Sequence, residues 1–129
     1  MKQEDKDLLY RYLSMALPYK VKVCLYEKET CILLGIDGYE VYLDVDSDSF
    51  RIESIKPYLR PMSSMTEGEK MEFDNFCVID EFAWEGDSKN GYKNQAIIMS
   101  DAIEWLLKKN FDFLDLISKG LAIQVTEYE

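Results

Sequence analysis

This sequence contains no histidine, and its most prominent groups for acid–base or covalent chemistry are carboxylates and three cysteines. That removes the commonest general base, every Ser-His or Cys-His arrangement, and the usual catalytic zinc sites. Cys24 and Cys31 could form a redox pair or half of a zinc site. A structural zinc site wants four ligands, however, and Cys77 supplies only a third. Antiparallel neighbours also strain disulfide geometry. We therefore expect Cys24 and Cys31 to be small residues together on the second face of a sheet. The run "DVDSDSF" puts Asp44, Asp46 and Asp48 at the first, third and fifth positions of a calcium loop. Ser49 then stands where such a loop needs glycine, and Ile55 where it needs a bidentate glutamate. A strand end followed by a polar turn explains these aspartates better, so neither metal nor cofactor is expected. No glycine-rich phosphate loop, G-x-S-x-G or H-E-x-x-H occurs. Carboxylates are plentiful enough for paired-acid hydrolysis, but nothing singles out a pair. The expectation is a protein that is not an enzyme.

Binding features are more prominent. In "IKPYLRPMSSMTEGEK", residues 55–70, Lys56 and Arg60 flank Tyr58 between Pro57 and Pro61. The prolines favour extended backbone and remove two donors, so this stretch could be a preformed strip for an acidic partner. It is read chiefly as a rigid strap over 56–65, with Tyr58 and Leu59 packed inward. Trp84, in "DEFAWEGD", is a second candidate anchor for a protein partner. The formal net charge is −10. Residues 67–87 carry Glu67, Glu69, Glu72, Asp74, Asp80, Glu81, Glu85 and Asp87 against Lys70 alone. Such a field repels phosphate backbones, which argues against direct nucleic-acid binding. These acids make either a solvated face or, if spaced like phosphates, a nucleic-acid mimic that occupies a DNA-binding protein.

The elements that must position these residues follow from periodicity. Residues 4–16 place Leu8, Leu9, Tyr12, Leu13 and Ala16 at helical spacing, and Pro18 ends the helix. Residues 20–55 alternate as a four-stranded antiparallel meander, a curved sheet or partly open barrel. Asp37-Gly38 is read as its central turn, pairing Ile36 with Tyr39, Leu34 with Val41 and Ile32 with Leu43. Thr66-x-x-Glu69 is a capping box that opens a helix running to about Phe76. Residues 85–95 read as an exposed loop, Ser100 as the cap of a helix through "DAIEWLLKKN", and Asp112 as the start of a last short helix. Gly120 sits where a left-handed C-terminal cap belongs. The expectation is one α+β domain over 1–129 with a helical half at 66–120. It should be cytoplasmic, since no run approaches the ~20 apolar residues of a membrane span.

"LPYKVKV", "IKPYLRPMSSMTEGE" and "DAIEWLLKKNFDFLDLISKGLA" resemble, in that order, blocks in short uncharacterised proteins of anaerobic gut bacteria and their prophages. The resemblance implies an accessory protein of a mobile element and carries no activity. Taken with the residues, it suggests binding to an unidentified protein partner.

Overall fold

The N-terminal segment folds as its apolar spacing requires. In the computed structural model, which describes residues 1–45, 48–77 and 88–125 (side chains of 76, 77, 88–92 and 94 apart), α1 spans Gln3–Ala16. Glu4 and Asp5 lie in its first turn, where the helix dipole favours acids. Leu9, Tyr12, Leu13 and Ala16 are its buried stripe. Pro18 then sits in a single 3-10 turn, Leu17–Tyr19, and Lys20 takes a left-handed conformation that redirects the chain.

An α+β fold follows, built on a mixed, open sheet. Its strands are β1 Lys22–Leu25, β2 Glu29–Asp37, β3 Glu40–Leu43, β4 Ser49–Arg51, β5 Ile55–Pro61, β6 Phe111–Asp112 and β7 Ile123–Gln124. Among the described residues the order is β4-β3-β2-β1-β5-β6, with β7 also paired to β5. The pairs β1–β2, β2–β3, β3–β4 and β1–β5 are antiparallel, whereas β5–β6 and β5–β7 are parallel. The sheet is thus larger than a four-stranded meander, and the C-terminal half contributes two of its strands. The stretch expected to be a strap is an internal strand. Ile55, Pro57 and Leu59 point into the core, and Lys56, Tyr58 and Arg60 project from the other face.

Pro57 fits inside the sheet because of where its nitrogen faces. Tyr26 donates to the Ser54 carbonyl at 2.9 Å, so that pair is hydrogen-bonded. Antiparallel pairs alternate, which makes Val23–Pro57 a non-bonded pair and turns the proline nitrogen away from β1.

The central hairpin corrects the expected register. Asp37 pairs with Glu40, leaving Gly38 and Tyr39 as the two-residue loop, with Gly38 at φ +61°. Ile36 faces Val41, and a bulge at Leu34 separates the Gly35–Tyr42 and Leu33–Leu43 pairs. The extra residue changes parity along β2, so Cys31 and Leu33 are buried on one side of it. Ile36 still packs on the core beyond it. The regular alternation of Ile32 and Leu34 in the sequence was therefore the solvent-side set.

Helix α1 covers the inner face, where its buried stripe meets Val21, Val23, Leu25, Leu33, Val41, Leu43, Ile55 and Leu59. Tyr39 joins the hairpin to α1, its hydroxyl donating to Asp7, and Lys6 pairs with Glu53 at 3.2 Å. Helix α2 spans Glu67–Cys77, and α3 spans Ser88–Lys108. Residues 88–95 are thus helical where a loop was expected, and Ser100 lies within α3 instead of capping it. Asn110, at φ +60°, ends α3 in a left-handed turn. No helix starts at Asp112. Its buried carboxylate instead accepts the backbone N–H groups of Leu116 and Ile117, at 2.7 and 2.8 Å. The turn that follows closes as a Schellman motif. Gly120, at φ +73°, donates to Ile117, and Leu121 donates to Leu116.

Candidate functional site

Three strands display their outer-face residues in rungs. Lys22 lies opposite Ile32 on β2, and one position beyond Pro57 on β5 brings Tyr58 beside it. The next rung holds Cys24, Thr30 and Lys56. Tyr58 Oη reaches diagonally to Thr30 Oγ1 at 3.1 Å. Its pKa is raised, first by a hydrogen bond with the Cys24 thiol and in part by burial, against the opposing effect of Thr30. The phenol is therefore a neutral polar contact at physiological pH.

Over this face the ends of two helices close a cleft of about 800 Å³. Its floor includes Lys22, Thr30 and Tyr58; its walls include Lys20, Thr66, Lys108, Lys109 and Asn110. The size suits a small ligand or a short peptide segment. Arg60 and Glu69 also line it, but they neutralise each other. Arg60 forks onto both Glu69 oxygens at 2.9 and 2.8 Å, reaches the Ser64 carbonyl at 3.3 Å, and lies 4.3 Å from the Phe111 ring centre. Glu69 meanwhile completes the capping box. It accepts from Thr66 N–H at 3.0 Å, and its own N–H donates to Thr66 Oγ1 at 3.2 Å. Together Arg60, foremost, and Thr66 hold the Glu69 carboxyl at about 2. With that pair cancelled, the remaining charges lining the cleft among the described residues are lysines. Glu104, at 2.9 Å, partly offsets Lys108 and raises its pKa.

Among the expected site residues, Lys56, Tyr58 and Arg60 share one face of β5, but only Tyr58 and Arg60 reach the cleft. Lys56 lines a smaller recess with Cys24 and Tyr26, and lies 3.6 Å from Glu27. Trp84, Asp80, Glu81, Glu85 and Asp87 lie outside the described residues, as does Asp46. Of the other acids, Glu67 and Asp74 project into solvent. Glu69 is withdrawn into its pair with Arg60, and Glu72 accepts from Trp105 Nε1 at 2.9 Å. Trp105 stacks on Phe111 and tilts against Phe73, so one aromatic layer ties α2 to α3 and β6.

One further expectation is corrected. Cys24 and Cys31 do not share a face: both are free and buried, but Cys31 points into the core opposite Val23. Burial, with Asp44 adding to it, pushes the Cys31 thiol pKa up, so it is a poor nucleophile. Asp44 accepts from the Ile32 N–H at 2.9 Å, which is a strand-closing role.

Sequence reasoning missed the lysines. Lys20-x-Lys22 and Lys108-Lys109 are basic doublets in an acidic chain, and that contrast was the available signal. No family model, curated protein or solved structure matches the chain.

Proposed function

We propose that the chain is a binding module that holds an acidic segment of a protein partner in the lysine-rimmed cleft. One observation carries this reading. Lys20, Lys22, Lys108 and Lys109 converge from distant parts of the sequence on one concave surface, in a chain whose net charge is −10. Lysines are compact, hydrated point charges on flexible stems, suited to carboxylates that arrive in varied geometry. Tyr58 and Thr30 add hydroxyls between them. The resemblance noted above suggests an accessory protein of a mobile element, and the net charge of −10 argues against direct nucleic-acid contact.

The test is fluorescence anisotropy with a labelled hexaglutamate peptide. Wild-type protein should bind it, more weakly as salt rises, because exposed charges are screened within about 8 Å at 0.15 M salt. Combined Lys22→Glu and Lys109→Glu should weaken binding at least about tenfold, since like charges now face the ligand. Lys70→Glu, on the exposed side of α2, is the control and should leave it unchanged. Equal binding by the cleft double variant and the wild type would defeat the proposal.

A further inference from the structure

The open face does not end at the lysines. Ile32 stands on the rung beside Lys22, and the bulge that follows turns Leu34 outward, where it is 62 % exposed. Gly35 comes next, opposite Tyr42 on β3, and a Cβ there would lie 3.6 Å from the Tyr42 ring. That ring therefore lies against Gly35, yet it remains 38 % exposed. Ile32, Leu34 and Tyr42 make an apolar stripe continuous with the basic cleft, on one face of one sheet. On the side facing the core, the same strands are fully occupied by α1. The bulge lets Leu34 and Gly35 both lie on the outer side: without it, strict alternation could not keep both Leu33 and Ile36 on the core side.

We propose that the acidic segment taken by the cleft continues over this stripe, so the partner is an extended peptide with carboxylates at one end and a large apolar side chain further along. This rests on the reading of the cleft given above. The juxtaposition sets the spacing. From Lys22 to Tyr42 is two strand spacings of about 4.8 Å across and roughly three residues of about 3.3 Å along, hence roughly 14 Å. An extended chain covers that in about four residues. Charge complementarity fixes which end lies where: carboxylates at the lysines, the apolar anchor between Leu34 and Tyr42. An acid at the anchor position would meet apolar side chains instead of cations.

The experiment compares two labelled peptides, hexaglutamate and hexaglutamate followed, after a three-residue serine spacer, by leucine. The anchored peptide should bind about tenfold tighter than the plain one, as expected for burial of one leucine side chain. Leu34→Ser should erase that advantage while leaving hexaglutamate binding as in the wild type. Leu34 is mostly exposed, so its variant should fold; a thermal melt verifies this, and Tyr42→Ser provides a second reading of the same stripe. Equal affinities for the two peptides would overturn the inference and leave the cleft reading standing. Failure of both peptides to bind would remove the cleft reading and this one with it. An advantage that persists in both stripe variants would show that the anchor lies elsewhere. If sedimentation instead shows wild-type dimers that Leu34→Ser converts to monomers, the stripe is a self-contact and the inference falls.

Discussion

Replacing Glu69 with glutamine would separate two duties of one side chain. The amide can still accept from Thr66 N–H, but it cannot match the charge of Arg60. In the folded protein the carboxyl titrates at about 2 against an ordinary 4.5. A depressed carboxylate contributes stability that is complete above the unfolded value and is lost as pH falls through the folded one. Glu69→Gln should therefore cost about 1–2 kcal/mol at pH 7, after allowance for the solvent that still reaches the pair. That deficit should shrink below pH 4.5 and be nearly gone by about pH 2. Urea unfolding of both proteins at pH 7, 4 and 2.5 measures it, and a pH-independent deficit would assign the loss to packing. The capping role of Glu69 was legible, because T-x-x-E is a local pattern. Its pairing with Arg60 was not, since that needs α2 to fold back over the outer face of β5.

At the scale of elements, the turn between β1 and β2 carries strained backbone. Tyr26 and Glu27 both take left-handed conformations, at φ 51° and 60°, with no glycine to relieve them. A left-handed non-glycine residue costs roughly 1–2 kcal/mol, and glycine gives back part of that through its freer unfolded state. Glu27→Gly should thus raise stability by about 0.5–1 kcal/mol, read as a higher Tm in calorimetry. A lower Tm would mean that the Glu27–Lys56 contact matters more than the strain. Element legibility followed how local each signal was. Helix α1, the Thr66 cap and the left-handed Gly120 are short-range patterns, and each stands where its residues suggested. The hairpin register failed because a single bulged residue, Leu34, reverses which of Ile32 and Leu33 is buried. Residues 88–95 looked like a loop from their glycine, asparagines and serine. They are helical as the first turns of a helix whose later residues, Ala102, Leu106 and Leu107, are buried.

For the whole molecule, the net charge of −10 sets a self-repulsion that compaction must overcome. Raising sodium chloride from 10 to 200 mM shortens the screening length from about 30 Å to under 10 Å. The Tm should rise across that range, whereas a fall would show that attractive ion pairs outweigh the repulsion. The acidic balance was plain in the sequence, but the basic cleft was not, because Lys20 and Lys109 meet only through tertiary folding. The prolines of β5 have a consequence at this scale too. Among the described residues, strand β7 pairs with Tyr58 and Leu59, which lie between Pro57 and Pro61. On that side β5 presents a window bounded by two residues that cannot donate. A passing extended chain finds no continuous ladder there, so the prolines limit how far this sheet can grow. The segment read from the sequence chiefly as a strap thereby also works as a guard against strand-to-strand aggregation.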